Sequence, residues 1–162
     1  LAGLPGPDWS VNYDANRRTL VLAGEYQFGV ATAFADALDQ YPDAHTVELE
    51  GPGGLKNEGL AIAHAIQARN LVTRAIGDCE SACTLAFVAG RERFLGENAS
   101  LGFHAVSAPV FSIDLNADYD RFLAVRGIDR KFIRRAAATP ANDMWYPTND
   151  ELKAAGVITA VR

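Results

Sequence analysis

The sequence predicts an α/β domain built on a mainly parallel sheet with flanking helices. Two observations support this fold class. Strand patterns alternate with helix patterns along most of the chain, and the helix patterns are long enough to cross from one parallel strand to the next. The chain has 162 residues, 49% of them hydrophobic, which is enough for one sizeable core. We therefore expect a single domain over residues 1–162, in which residues 1–18 form an N-terminal extension or a lead-in strand.

The first half of the chain shows the alternation most clearly. Runs of aliphatic residues that end in turn residues predict strands, and apolar residues at helical spacing predict the helices between them. The predicted elements alternate strand and helix, beginning with a strand: residues 19–24, 28–40, 46–51, 57–70, 71–76 and 81–89. In parallel sheets, functional sites lie beyond the carboxyl ends of the strands. We therefore expect a functional site at the turns that follow these strands.

The second half is less regular. Gly127 breaks a helical pattern into two helices, and Asp129 is placed to cap the second one. Near the end of the chain, Thr148 and Glu151 fit a capping box that begins a last helix. The expected elements are two short strands, a loop, the helix pair, the last helix and a final strand: residues 93–95, 101–105, 107–115, 116–138, 148–156 and 157–161.

Charge and hydropathy narrow the class of partner. The formal net charge of −5 disfavours a nucleic-acid or anionic-membrane surface, because both require clustered Lys and Arg. The basic pairs at 130–131 and 134–135 recur at helical spacing, which is typical of a solvated helix face. The sequence contains no apolar run long enough to span a bilayer and no signal peptide. It begins at Leu1, so we expect a mature or trimmed form that has lost any leader or membrane anchor.

The segment 77–90, Gly-Asp-Cys-Glu-Ser-Ala-Cys-Thr-Leu-Ala-Phe-Val-Ala-Gly, is the most informative stretch for function. Ser81 lies where a strand passes into a helix, and the N–H groups and dipole of a helix N-terminus favour a developing anion. A plain N-cap serine is the simpler interpretation of the same position. His104 ends a later strand, and Gly53 and Gly54 follow an earlier one, where glycine lets a bare N–H approach a ligand. The glycine pair lacks the spacing of a dinucleotide or phosphate loop, so no cofactor is expected.

A serine and histidine pair needs a third group to orient the imidazole. Three acidic residues near the end of the chain are candidates, but Asp150 and Glu151 fall in the first turn of the last helix, where they have a structural role. Asp143 has no such role, and we expect it to orient His104. The order Ser81, His104, Asp143 and the absence of a Gly-x-Ser-x-Gly elbow distinguish this chain from α/β-hydrolases, chymotrypsin-like enzymes and subtilisins.

The two cysteines of the chain, Cys79 and Cys83, flank Ser81. Two small buried thiols beside the nucleophile are the favoured interpretation. A local disulfide is the second alternative. A metal site that includes His104 is the third, but no further ligand is evident, so no bound metal is expected.

Taken together, these motifs resemble those of the ClpP/crotonase superfamily on its Clp-type serine protease branch, and most closely the small stand-alone periplasmic ClpP-like proteins. The resemblance covers about residues 19–161. The segments that carry it are similar to the family's glycine turn (with Gly51 in place of a serine), nucleophile segment, base-bearing strand and closing segment: Gly51-Pro-Gly-Gly54, Cys79-Glu-Ser-Ala-Cys83, Gly102-Phe-His104, and Asn142-Asp143 through Leu152-Lys-Ala-Ala-Gly156-Val-Ile.

The resemblance implies a ClpP/crotonase-like ββα-type spiral with Ser81 as nucleophile, His104 as base and Asp143 as orienting acid. It also implies an oxyanion hole formed by the N–H groups of Gly54 and Ala82. The implied function is ATP-independent hydrolysis of peptide bonds in a peptide or unfolded protein. The implied location is periplasmic or otherwise extracytoplasmic, with a membrane anchor outside this chain left open.

The resemblance also bears on assembly. Relatives assemble through the region between the base and the acid. Here that region is predicted to form two short helices, where ring-forming relatives have one long handle. We therefore expect a small homo-oligomer and not a double-ring barrel.

Two other functions stay open at this point. A crotonase-type CoA-thioester enzyme shares the fold, but such enzymes usually place acidic catalysts beside the glycine turn, where Glu58 is the nearby candidate. A non-catalytic module that binds peptides or a partner protein would keep the fold without an assembled site. Reaction of the protein with a fluorophosphonate separates the peptidase from both alternatives.

Overall fold

The structure is a computed structural model that describes residues 6–106 and 116–162. The first part of the predicted N-terminal extension and the loop predicted at 107–115 lie outside the described residues. The strands of the described part are, in chain order, β1 (Trp9–Asp14), β2 (Thr19–Tyr26), β3 (Thr46–Gly54), β4 (Val72–Glu80), β5 (Arg93–Leu95), β6 (Ser100–Gly102) and β7 (Ala160–Val161). The helices are α1 (Val30–Gln40), α2 (Lys56–Ala68), α3 (Ala82–Val88), α4 (Asn116–Val125), α5 (Arg130–Ala137) and α6 (Asn149–Ala154).

The strands form one mostly parallel sheet in the order β1-β2-β3-β4-β5-β7, and β6 pairs with β4 beside β5. The lead-in strand β1 is antiparallel to β2, and the other pairings are parallel. Strand β4 is shared, because residues 73–75 pair with β5 and residues 78–80 pair with β6. This arrangement confirms the predicted fold class.

The core lies between the sheet and helices α1, α2 and α3. Alternate residues of β2 and β3 face the helices, as the period of a strand requires. All seven residues of α3 are buried, so this helix runs through the middle of the core. Fully buried aliphatic side chains from both layers meet there: Leu20, Leu22, Val47, Leu49, Ile62, Ile66 and Leu85.

The two predicted helix caps are confirmed. The Asp129 carboxylate caps α5 by accepting hydrogen bonds from the N–H groups of Lys131 and Phe132. Thr148 and Glu151 form the reciprocal capping box of α6. The basic residues of α5 are exposed, as expected for a solvated face. Within the described ranges, no helix has the length and apolar character needed to cross a bilayer.

Strand bounds differ from the prediction in several places. Strand β2 continues to Tyr26, beyond the predicted residue 24. Strand β6 covers Ser100–Gly102 and not 101–105, so His104 lies two residues beyond the strand that it was expected to end.

The third and fourth strands extend beyond residues 51 and 76, because their last residues find partners in β2 and β6. The last strand is shorter than the predicted 157–161. The N–H groups of Val157 and Ile158 bond to the Leu152 carbonyl at the end of α6, so they are not free to pair with β5.

Candidate active site

Ser81 and His104 meet because they leave neighbouring parallel strands at the same end. Glu80, the last residue of β4, pairs with Gly102, the last residue of β6. The Ser81 N–H then donates to the Gly102 carbonyl at 2.9 Å, which ties the two exits together. His104 follows two residues later. Ser81 and His104 therefore lie at one edge of the sheet, beyond the carboxyl ends of the strands, where a site was expected.

Ser81 occupies a sharp turn between β4 and α3. Its backbone has φ 54° and ψ −123°, a conformation that side-chain-bearing residues rarely adopt. Such strain persists only where the surroundings over-determine it, and it clusters at functional sites. The side chain makes no hydrogen bond that caps α3, so the simple N-cap interpretation does not describe this serine. Ser81 is half-buried at this turn and lines the adjoining cavity.

The His104 ring is held at both nitrogens. Its Nε2 lies 2.8 Å from Ser81 Oγ, and its Nδ1 lies 2.8 Å from the carbonyl oxygen of Ala141. Because a carbonyl only accepts, Nδ1 carries a proton in this contact, so in the neutral ring Nε2 is the nitrogen that accepts from the serine hydroxyl. This is the tautomer that a general base requires.

Asp143 does not make the expected contact with His104. Its Oδ1 accepts a hydrogen bond from the N–H of Met144, and its own N–H bonds back to the Pro140 carbonyl. This tight turn directs the Ala141 carbonyl, and not the exposed Asp143 carboxylate, at the imidazole. The structure therefore corrects the predicted orienting contact. Asp150 also lies apart from the histidine, in the first turn of α6.

The closing segment holds the residues between β6 and His104 in a way that the sequence did not reveal. Phe103 and Trp145 form an antiparallel bridge with N···O distances of 2.9 and 2.8 Å. The Trp145 ring lies 4.8 Å from that of Phe132 and under the Arg135 guanidinium. The only signal in the sequence was an aromatic residue in a stretch predicted to be irregular, which does not identify its partner.

The glycine turn packs directly against the serine turn. Gly53 has φ +84°, and a Cβ on it would lie 2.7 Å from the Ala82 nitrogen and 2.9 Å from the Ser81 Cβ. Only glycine allows this approach. Gly54 is exposed at the end of β3, and Ala82 is the first residue of α3, whose N–H has no carbonyl acceptor within the helix.

Ser81 and His104 line a cavity of about 720 Å³. Its lining is largely apolar, with Lys56 as a cation on one side, and it includes Phe28, Leu55, Ser81, His104 and Tyr119. Phe28 is 91% exposed at the rim. An apolar cleft with a few polar groups is the usual form of a small-ligand or peptide site.

Glu58 also borders this cavity, but its carboxylate has another role. Its Oε1 accepts from the N–H of Gly29 at 2.6 Å and of Ala31 at 3.4 Å, so it caps the N-terminus of α1. A carboxylate held by backbone donors in this way is tied to the scaffold. The structure therefore gives no support to Glu58 as the acid of a CoA-thioester enzyme.

Cys79 and Cys83 form a disulfide that spans Ser81, with both residues fully buried. The favoured interpretation as free thiols is therefore wrong, and the second alternative holds. The bond joins the end of β4 to the first turn of α3. It also rules out the cysteines as thiolate ligands with His104, and the described residues contain no other cluster of His, Cys, Asp or Glu that would hold a metal ion.

Comparison with known proteins identifies the architecture. No protein-family model matches the chain, and no curated protein matches its sequence. Among solved structures it is similar to ClpP1 from Listeria monocytogenes, with a TM-score of 0.75 and 17% identity over 91% of this chain and 92% of that chain. A mutant of the same ClpP1 gives a TM-score of 0.74 with equal identity and coverage. At this level of identity the likeness is one of fold, and the chain has a ClpP-like fold.

Proposed function

We propose that this protein is a serine peptidase that hydrolyses peptide bonds with Ser81 as the nucleophile and His104 as the general base. The observation that carries the proposal is the 2.8 Å contact between His104 Nε2 and Ser81 Oγ, made while Nδ1 is held by a carbonyl. The strained serine turn, the close glycine turn and the adjoining cavity support it.

The first half-reaction follows from these positions. Ser81 Oγ attacks the carbonyl carbon of the substrate while its proton passes to His104 Nε2. Negative charge then develops on the substrate oxygen. The N–H groups of Ala82 and Gly54 are the proposed donors to that oxygen, and the N-terminus of α3 adds its dipole. Collapse of the adduct breaks the C–N bond, and the imidazolium returns its proton to the leaving amine.

Deacylation repeats the sequence with water as the nucleophile. His104 takes a proton from water, which attacks the acyl group on Ser81, and the proton then returns to the Ser81 oxygen. The orienting group in this scheme is the Ala141 carbonyl, which fixes the tautomer but supplies no negative charge. We expect no metal or organic cofactor to take part.

The substrate we propose is an extended peptide or an unfolded protein. The apolar rim of the cavity, with exposed Phe28 and Leu55, suits apolar side chains of such a substrate. We propose that the protein acts without an ATPase and as a small homo-oligomer. The Cys79–Cys83 disulfide supports a periplasmic or other extracytoplasmic location, where such bonds persist.

Fluorophosphonate labelling tests the proposal. Phosphonylation requires an activated serine together with an anion cradle, so we expect covalent modification at Ser81, located by peptide mass spectrometry. His104→Ala and Ser81→Ala should both abolish it while circular dichroism shows an intact fold. Absence of labelling of the wild type between pH 6 and 9, in every oligomeric form, would favour a peptide-binding module with the same cavity.

A further inference from the structure

We infer that the first turn of α4 positions the nucleophile, because the Tyr119 hydroxyl acts through Thr84 on the backbone of Ser81. This inference rests on the proposed role of Ser81. Tyr119 Oη lies 2.6 Å from Thr84 Oγ1, which lies 2.6 Å from the Ser81 carbonyl oxygen. Neither Tyr119 nor Thr84 belongs to the predicted catalytic set.

The number of hydroxyl hydrogens determines which group donates in each of these two hydrogen bonds. A carbonyl oxygen only accepts, so the single hydroxyl hydrogen of Thr84 is donated to Ser81. The Tyr119 hydroxyl must then be the donor to Thr84. Tyr119 is 4% exposed, and its burial raises the pKa of the phenol, which keeps the donor proton in place.

The bonded carbonyl controls the direction of the proposed oxyanion donor. The Ser81 carbonyl and the Ala82 N–H belong to one planar peptide unit, so an acceptor fixed on one side aims the donor on the other. Thr84 holds this carbonyl twice, with its Oγ1 and with its N–H at 2.9 Å. Relaxation of the strained Ser81 dihedrals would rotate that peptide plane and swing the Ala82 N–H away from the substrate oxygen.

Further contacts hold α4 against both halves of the site. Asp118, beside Tyr119, lies 3.4 Å from the Nζ of Lys56 at the start of α2. Arg126, directly after α4, donates to the last carbonyls around the end of α3, at 3.1 Å to Val88 and 3.0 Å to Gly90. Helix α3 is therefore contacted near its N-terminus by Tyr119 and near its C-terminus by Arg126.

Two variants remove single hydroxyl groups while keeping the shape of the side chain. Tyr119→Phe deletes the donor, and Thr84→Val deletes the relay. Thr84→Ser keeps the relay hydroxyl and serves as the conservative variant. Tyr26→Phe is the matched control, since the Tyr26 hydroxyl is buried and has no hydrogen-bond partner among the described residues.

The first readout is the second-order rate of fluorophosphonate labelling at Ser81 as a function of pH. Loss of an oxyanion donor typically costs two to three powers of ten, so misdirection of one should cost about tenfold. We expect that loss in Tyr119→Phe and in Thr84→Val, with no change in the pH midpoint because the contacts of His104 are intact. Thr84→Ser and Tyr26→Phe should stay within about twofold of the wild type, and the double variant should be no slower than the slower single variant.

The second readout does not depend on labelling. Amide hydrogen exchange at Thr84, whose N–H bonds to the Ser81 carbonyl, should be faster in Tyr119→Phe than in Tyr26→Phe. If the wild type is not labelled, the proposed function fails and this exchange measurement alone decides the positioning role. Wild-type labelling with an unchanged rate in Tyr119→Phe overturns the inference and leaves the peptidase standing. Equal losses in Tyr119→Phe and Tyr26→Phe overturn it as well.

Discussion

The carbonyl oxygen of Ala141 lies 2.8 Å from Nδ1 of His104, and it takes the place that a carboxylate holds in a Ser-His-Asp triad. A carboxylate does two things there: it selects the tautomer, and its charge stabilises the imidazolium. A carbonyl does the first and contributes only a dipole to the second. The pair in this protein is therefore arranged as a dyad with a backbone orienting group.

Asp143→Asn should reduce the labelling rate by less than about tenfold, because the tautomer is set by the Ala141 carbonyl. Loss of a true triad carboxylate costs about 10⁴ in turnover. Asp150→Asn is the matched control, since it changes an exposed acid in the same part of the chain. A loss of about 10³ or more in Asp143→Asn alone would show that the loop at 140–143 rearranges in the working enzyme and that the acid does orient the base.

Ser81→Gly should be more stable than Ser81→Ala by about 1 kcal/mol. A backbone outlier of this kind costs on the order of 1–3 kcal/mol, and glycine escapes most of that cost at a positive φ. Urea unfolding measures the difference. The same pair of exchanges at Ser10, an exposed residue of β1, should give the opposite order, since glycine weakens an ordinary strand. Equal stability of the two Ser81 variants would contradict a strained turn.

Gly53→Ala should abolish labelling and destabilise the fold by more than the backbone strain alone. The new Cβ would press on the Ala82 nitrogen and the Glu80 carbonyl, both of which are backbone atoms. Gly127→Ala isolates the backbone cost, because Gly127 has the same φ of +84° and no atom within 4 Å of the added Cβ. We expect about 1 kcal/mol there, with labelling unchanged. Retained labelling in Gly53→Ala would refute the close approach of the two turns.

Intact mass measurement of the unreduced protein should show the Cys79–Cys83 bond. Replacement of both cysteines by Ala should lower the free energy of unfolding by about 2 kcal/mol, as expected for so short a loop, and should slow labelling by loosening the serine turn. Reduction of the wild type should have the same effect on labelling, and reoxidation should reverse it. Free thiols under native conditions, or labelling indifferent to reduction, would argue against this role.

Light scattering should show a small oligomer. Between His104 and Asp143, the described residues form two short helices, α4 and α5, and not one long helix of the kind expected to join two rings. A tetradecamer would contradict the prediction. A strict monomer would also contradict it, and would mean that the cavity of a single chain forms the complete site.

The alternation of strands and helices could be predicted from the sequence because each element carries its own period and its own cap. The Asp129 cap and the Thr148–Glu151 capping box depend only on residues close together in the sequence, so they can be recognised from the sequence alone. Ser81 and His104 were predicted for a related reason. Parallel strands deliver their ends to one edge, so residues at those ends meet whatever their spacing along the chain.

The orienting group could not be predicted in the same way. Every residue except the last has a peptide carbonyl, so nothing in the sequence marks the one at Ala141. The choice between Ala141 and Asp143 depends on how one tight turn is rotated, and that turn lies just before the Phe103–Trp145 bridge. The disulfide is a similar case, since two cysteines four residues apart bond only if the backbone turn brings them together.

That bridge also has a consequence for synthesis. The serine turn, its glycine neighbour and the disulfide all come from the first 83 residues, whereas the carbonyl that orients the histidine belongs to residue 141. A chain emerging from the N-terminus can form the serine turn early, but the carbonyl that orients His104 is absent until the closing segment has been made. The contact that orients His104 is therefore completed only after the segment that carries Ala141 and Trp145 has been made.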